Sequence, residues 1–386
     1  MSRLLKSAFT MRKHVSAGTN AAPVRLLTQG LPYLFGRNGF SFLPLSLFFI
    51  INSRCNMKCQ MCDVGRRYED SMFYKNLVGP GADGRGDFPI ERFETLMDEV
   101  RAFHPFVSIT STEPLLYEPL PRAIRAAKSR GLGVNVTTNG LLLSRRHSEL
   151  LASGLNRLTI SLDGPADVHD RIRGVPGAFR TIEKGLIELI EQKRRTGNPR
   201  PAITINTVIT NLNAGTLGLL LEALPLADLE QVTFALMSFC HQELADRHNA
   251  LWGGKYPASR TCLEGDTDPS RVDVPSLKAE LDAIRAKYPD KVHFFFENTT
   301  RFLEKYFHRP DEFMDFRPCL FPWFTAQITA SGDLIGVTRC YPRTFGNILD
   351  RPFLDVWNGA EMRAFRKDLR KHRRFPACTR CEGVLY

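Results

Sequence analysis

The sequence predicts an α/β fold on a parallel sheet, open or partly closed as a barrel, and three observations carry that prediction. Six short runs read as strands: Leu45–Asn52, Phe106–Thr110, Gly133–Thr137, Arg157–Leu162, Ala202–Ile209 and Gln231–Leu236. Helical patterns at about 91–103, 118–130, 144–153, 177–193 and 214–224 lie between them, the alternation that builds parallel sheets. The first strand also runs directly into a cysteine loop, Ser53–Gly65, at the strand end where such folds collect their chemistry.

Leu45–Asn52 (LSLFFIIN) is continuously apolar, as expected of a strand covered on both faces. Residues 65–89 contain Gly79, Gly81, Gly84 and Gly86 and read as a mobile loop near the cysteines. No helix-opening Lys-Ser/Thr follows, so this is not a phosphate cradle. Met237–His241 leaves the sixth strand at the same end as the cysteine loop, which makes Cys240 and His241 candidate substrate-facing catalytic residues. Cys262, in a polar loop, is expected to have no role. Ser276–Tyr288 reads as a helix, Lys291–Phe296 as a strand and 299–307 as a helix. Ala326–Thr329 and Leu334–Thr338 flank Ser331-Gly332-Asp333 as a hairpin. Gly346-Asn347-Ile348, Trp357 and a helix near 359–373 precede Cys378-x2-Cys381.

With 386 residues, 43% of them hydrophobic, the chain can bury a full core. Nine cysteines are too few and too scattered for a disulfide scaffold, and grouped cysteines in a chain of this size point to metal ligands in a reducing, cytoplasmic compartment. The net charge of +11 sits at the ends. Residues 1–50 hold Arg3, Lys6, Arg12, Lys13, Arg25 and Arg37 with no acid; residues 361–386 carry eight Lys/Arg against three acids. A neutral body with basic ends excludes a nucleic-acid reader, which needs a continuous basic face. The arm at 1–40 fits a peripheral membrane contact, a transit peptide or a solvated tail. Leu31–Ile51 is interrupted by Arg37, Asn38 and Pro44 and is not a membrane span.

Cys55, Cys59 and Cys62 stand in the spacing C-x3-C-x2-C. Three soft thiolates on one short loop suit an iron–sulfur cluster, copper(I) or zinc, and a cubane held by three cysteines keeps one iron open. The spacing after an apolar strand resembles the signature of the radical S-adenosylmethionine (SAM) enzymes, a family built on a partial (β/α)6 TIM-like barrel. The resemblance implies that the open iron chelates SAM and that an electron cleaves SAM to methionine and a 5′-deoxyadenosyl radical. Later strand ends extend it. Ser111-Thr112-Glu113-Pro114 stands where the family has Gly-Gly-Glu-Pro, with Glu113 on the SAM amino group; two side chains replacing glycines question the local backbone. Thr137-Thr138-Asn139-Gly140 matches the Thr-Asn-Gly turn, and Ser161-Leu162-Asp163-Gly164 the Ser-x-Asp-Gly turn, which assigns Asn139 and Ser161 to SAM. Arg173, in Arg-Gly…Gly-x-Phe, is the implied partner of the methionyl carboxylate, and Met61 that of the adenine.

Cys319, Cys340, Cys378 and Cys381 form a second set, for which zinc and iron–sulfur are equally fitting on chemistry alone. With the Gly-Asp, Gly-Asn-Ile and Trp between them they resemble the SPASM or twitch extension of the same family, implying one auxiliary four-iron cluster in a small α+β extension. The domains expected are a basic arm at 1–40, a core barrel at 41–240, a connecting region at 241–315 and the cluster extension at 316–386. The function implied is a radical SAM oxidoreductase that passes a substrate electron to the auxiliary cluster, with flavodoxin or ferredoxin as electron donor. Redox-neutral epimerisation, C–C bond formation or peptide modification are the alternatives within the family. A zinc-binding interaction protein is the alternative outside it. A small molecule, a lipid-linked sugar and a peptide all remain open as substrate.

Overall fold

The computed structural model describes residues 28–79, 86–263, 265–315 and 317–381, so most of the basic arm, with Gly81 and Gly84, lies outside the described residues. A short helix α1 (Leu31–Phe35) leads to β1 (Ser46–Phe49). After the cysteines come α2 (Asp63–Arg66) and α3 (Met72–Val78). The mobile loop expected across 65–89 is thus corrected: Ser71 caps α3 by accepting from the Tyr74 N–H, and Met72, Phe73, Leu77 and Val78 are buried.

Strand and helix then alternate through α4 (Ile90–Val100), β2 (Phe106–Ile109), α5 (Leu120–Ser129), β3 (Val134–Thr138), α6 (Leu143–Ala152) and β4 (Arg157–Ser161). They continue through α7 (Ala166–Arg173), α8 (Ala178–Thr196), β5 (Ala202–Ile209), α9 (Leu217–Glu222) and β6 (Gln231–Leu236). Next are α10 (Gln242–Trp252), α11 (Val274–Lys287), β7 (Val292–Phe294) and α12 (Thr300–His308). The extension holds α13 (Phe321–Phe324), β8 (Thr325–Ile328), β9 (Leu334–Ile335), α14 (Phe353–Trp357) and α15 (Ala360–His372).

One sheet runs β7-β6-β5-β4-β3-β2-β1-β8-β9, parallel throughout except for the β8–β9 hairpin. The six expected strands are all present. The sheet is larger than expected because β7 adds beyond β6 and the extension's hairpin adds beside β1, with Ser46 paired to Thr325. Its two faces differ chemically. Leu47, Phe49, Val107, Ile109, Val136 and Ile160 are sealed on the helix-covered face, where Phe49 meets Phe93 of α4 at 5.0 Å. The other face is polar and internally bonded: Ser46 Oγ to Thr325 Oγ1 at 3.0 Å, and Thr159 Oγ1 donating to Asn135 Oδ1 at 3.0 Å. Thr233 Oγ1 donates to Asn206 Oδ1 at 2.9 Å on the same face. An apolar outer and polar inner face is what a barrel with a hydrated or ligand-filled lumen needs.

The extension touches both sides of this lumen. Its β8 lies on β1, while fully buried Arg380 donates to the carbonyls of Tyr306 (2.7 Å) and Lys305 (2.6 Å). Tyr306 in turn donates from its hydroxyl to Met237 O, just past β6, at 2.7 Å. The second cysteine set is thereby carried to the carboxyl ends of the strands.

Candidate active site

The cysteine loop is held by the end of α7. Lys58 N donates to Arg173 O (3.1 Å) and Gln60 N to Ile172 O (2.8 Å). Two glycines allow this closeness. Gly174 has φ +66°, and a Cβ there would lie 2.7 Å from Lys58 O; a Cβ on Gly65 would lie 2.7 Å from Cys59 N. Cys59 is buried, Cys62 half-buried at the start of α2, and Cys55 exposed at the loop mouth. The Arg173 guanidinium stands between Asp163, at 2.6 Å, and Cys59 Sγ, at 3.7 Å. Burial pushes the Cys59 thiol up to about 11 against the opposing Arg173 charge. A bound cationic metal is what would keep such buried sulfurs as thiolates.

Glu113 is the second anchor. It is 1% exposed, and its carboxylate accepts from Thr138 Oγ1 (2.7 Å), Asn139 N (2.7 Å) and Leu115 N (2.9 Å). Burial raises its pKa and these donors oppose that. The Asn139 side chain donates to Asn56 Oδ1 at 2.7 Å and reaches Cys55 Sγ at 3.9 Å, so the Thr-Asn-Gly turn touches the cysteine loop. Ser161 ends β4 half-buried, and Met61 is buried beside the cysteines. His169 accepts from Asp163 N at 3.2 Å through Nδ1; burial and then Arg173 bring its pKa down to about 3, so it is neutral.

The backbone question at Ser111-Thr112 has a definite answer. Ser111 adopts φ +86°, a conformation that costs a side-chain-bearing residue about 1–2 kcal/mol. Ser111→Gly is therefore expected to raise stability by about 0.5–1 kcal/mol after glycine's own entropy is set against it. Denaturant unfolding checks this.

Three residues have neighbours that the sequence reading did not give them. Cys240 pairs with Thr261 in an isolated bridge, and its Sγ lies 3.5 Å from His241 O. Burial, and then nearness to Cys378, pushes its thiol up to about 12, so it belongs beside the second cysteine set. His241 precedes α10 and packs edge-on against Phe239 at 5.3 Å. Arg173, expected to hold a carboxylate, already has Asp163 as its partner.

The sequence reading also missed a buried junction. Asp63, with 0% exposure, accepts from Cys262 N at 2.7 Å and from the Thr261 hydroxyl. Arg339 stacks 4.0 Å over Phe73 and donates to Cys262 Sγ. Arg339 directly precedes Cys340 and Asp63 directly follows Cys62, so this junction joins the two cysteine loops. Only the adjacency of Asp63 and Arg339 to cysteines hints at it in the sequence.

In the second set, Cys319 and Cys378 are buried and Cys340 and Cys381 half-buried. Beyond burial, Cys378 acts electrostatically on Cys319 and Cys340, and Cys378, Cys340 and Cys381 all act on Tyr341, so the four thiols lie in one neighbourhood. Burial pushes Cys319 up to about 12. The Tyr341 hydroxyl lies 3.1 Å from Cys378 Sγ, and Asn76 of α3 donates to Cys340 O at 2.7 Å. Among the described residues no three His, Cys, Asp or Glu side chains form a single-ion site. The donor sets fit a cubane, in which each thiolate meets a different iron and the sulfurs stand farther apart.

Comparison with known proteins agrees. Residues 49–216 match the Radical SAM superfamily model, and residues 319–382 match that of the SPASM iron–sulfur cluster-binding domain. An AdoMet-dependent heme synthase of Methanosarcina barkeri is 34% identical over 173 residues, 44% of this chain and 44% of that protein. Fe-coproporphyrin III synthase of the same organism is 29% identical over 146 residues, 37% of this chain and 33% of that protein. The matched segment thus spans less than half of these relatives. Among solved structures, SuiB of Streptococcus suis bound to S-adenosylmethionine aligns with a TM-score of 0.57 at 16% identity, covering 95% of this chain and 79% of that one. AdoMet-bound anSMEcpe aligns at 0.55 with 18% identity, covering 83% of each chain. These two likenesses concern the fold. The motif loop, the strand-end anchors and both family matches make the chain a radical SAM protein with a C-terminal SPASM iron–sulfur domain, binding SAM, a [4Fe-4S] cluster and an auxiliary cluster.

Proposed function

We propose that the protein is a radical SAM oxidoreductase of dehydrogenase type. The supporting observation is the contrast between its cysteine sets: three thiols on the strand-end loop, and four in the extension gathered near Tyr341. In this reading Cys55, Cys59 and Cys62 hold the SAM-binding cluster, and Cys319, Cys340, Cys378 and Cys381 the auxiliary one. Bound SAM and its cluster supply a 5′-deoxyadenosyl radical. Glu113 accepts the SAM ammonium, Asn139 and Ser161 line the nucleoside, and Met61 covers the adenine. Arg173, already neutralised by Asp163, aims a donor at Cys59 and orients the loop. The substrate would give up one hydrogen atom, then one proton and one electron; an auxiliary cluster held by the four cysteines would accept that electron, and a flavodoxin- or ferredoxin-type donor would supply the one that cleaves SAM.

A cavity of about 450 Å³ opens at the ends of β1 and β8, with Ser53, Asn76, Ser259, Thr329, Asp333 and Arg343 in its wall. On the polar face of the sheet, Thr204 Oγ1 and Gln327 Oε1 are buried without hydrogen-bond partners among the described residues. These two unpartnered groups favour a substrate that brings hydroxyl or carboxylate groups to them, while the cavity wall itself is mostly apolar, with Leu77, Val78, Ala330 and Ile335 in it. The names of the heme-synthesising relatives support a second reading, a carboxylated tetrapyrrole.

The test is anaerobic reconstitution followed by SAM and dithionite. About eight irons per chain, as two cubanes require, and 5′-deoxyadenosine formation are expected. Cys59→Ala is expected to form none; zinc alone, or product from Cys59→Ala equal to wild type, contradicts the proposal. Adding iron coproporphyrin to the assay separates the two substrate readings, since only the second expects it to be consumed.

Tyr341 gives a further check. A hydroxyl donating to a cluster thiolate stabilises the reduced, more negative state. Tyr341→Phe removes about 1 kcal/mol of that preference, which for a one-electron couple lowers the auxiliary potential by about 40 mV. Potentiometric titration followed by EPR reads the change.

A further inference from the structure

Ten large hydrophobic side chains are exposed among the described residues, and five of them fall within twelve positions: Leu31, Leu34, Phe35, Phe40 and Phe42. Phe35 is 76% exposed. Such clustering is unlike the scattered single residues of an ordinary surface. The segment is fixed along one flank of α15. Arg370 donates to the carbonyls of Leu34 (2.8 Å) and Gly36, Arg363 to Asn38 O (3.1 Å) and Arg366 to Gly39 O (3.3 Å). Successive carbonyls are therefore read by successive turns of the helix, and the apolar side chains form a strip beside it.

The charge on α15 is segregated around that strip. Helical spacing puts Lys367 and Lys371 on the flank of Arg363 and Arg370, and both lysines are exposed. Arg37 is exposed within the strip itself, and Arg373 and Arg370 act electrostatically on Tyr33 of α1. The two acids of the helix point away: Glu361 pairs with Arg343, and Asp368 with Lys255 and Tyr256. Lys367, Lys371, Arg37 and Arg373 make no salt bridge among the described residues. An apolar ridge flanked by cations and free of acids matches the boundary of an anionic bilayer, where apolar groups enter the acyl edge and lysines meet lipid phosphates. No helix among the described residues is long and apolar enough to cross a membrane, so the contact is peripheral.

We infer that the strip Leu31–Phe42, together with the basic flank of α15, docks this protein onto an anionic lipid surface. The apolar side chains supply insertion, and Arg37, Lys367, Lys371 and Arg373 supply lipid-charge selectivity.

The test is vesicle flotation of the full chain at low and physiological salt, using phosphatidylcholine vesicles with and without phosphatidylglycerol. Wild type is expected to float with the anionic vesicles only, and less at higher salt. Phe35→Asp is expected to bind about tenfold more weakly. Lys367→Glu/Lys371→Glu is expected to lose about fivefold per lysine. A third full-length variant, Arg3→Gln/Lys6→Gln/Arg12→Gln/Lys13→Gln, is expected to keep most of the binding, which separates the strip from the preceding arm. Unfolding midpoints equal to wild type show that the variants fold. Equal flotation with neutral vesicles, no flotation, wild-type binding by both strip variants, or loss only in the arm variant would each overturn the inference. Binding of a protein partner through this strip, with no flotation, counts among the overturning results.

Discussion

Asp163→Ala is expected to destabilise the protein by about 3–5 kcal/mol, the loss seen when one member of a buried ion pair is removed. Asp163 has no exposed surface, and Arg173 is 9% exposed. They meet at 2.6 Å, and Asp163 Oδ1 also accepts from Val208 N at 3.1 Å on β5. Alanine leaves the guanidinium without its carboxylate partner, Glu113 acting on it only electrostatically, and orphans a strand donor. Asp163→Leu combined with Arg173→Met is expected to recover much of the loss, because a buried pair replaced as a unit by apolar groups is close to neutral. Denaturant unfolding of the two single variants and the double variant measures the coupling. A single-variant loss below about 1 kcal/mol would show that the pair is solvated.

Glu113→Gln is expected to raise the dissociation constant for SAM about 30–150-fold, as follows from losing about 2–3 kcal/mol of charge-assisted bonding to an ammonium. The substitution keeps the shape but brings an NH2 group into a carboxylate socket with three donors, Thr138, Asn139 and Leu115. At least one of those donors loses its acceptor, so the turn after β3 loosens as well. Equilibrium dialysis with labelled SAM reads the affinity, and Ser161→Ala, which removes a neutral hydroxyl, is expected to cost less. Unchanged affinity in Glu113→Gln would remove Glu113 from the proposed SAM site.

Much of this arrangement was legible because its signals are local. Every strand from Leu45 to Leu236 is a short run bounded by turn residues, and each strand-end motif lies within a few residues of its strand. Where reading failed, the cause was contact across long stretches of chain. Asp63 accepts from Cys262, 199 positions on, and Arg339 reaches Cys262 over 77. Nothing local to Cys262 announces either contact. Helix α3 was hidden because Met72–Val78 is followed by glycines, although Ser71 is a good cap residue. Helix α10 buries only Leu244, Ala245 and His248, too sparse a stripe to stand out. Cys240 was placed at the substrate because β6 ends there; the extension, folding back from beyond residue 316, brings Cys378 to the same place.

The central claim is that three cysteines hold a cubane with one iron free for SAM. The direct measurement is EPR of the reduced Cys340→Ala/Cys378→Ala variant, in which only the cluster at Cys55, Cys59 and Cys62 remains. The account predicts a [4Fe-4S] signal whose g-values shift when SAM is added. A cubane signal indifferent to SAM, or no cubane signal at all, would contradict it.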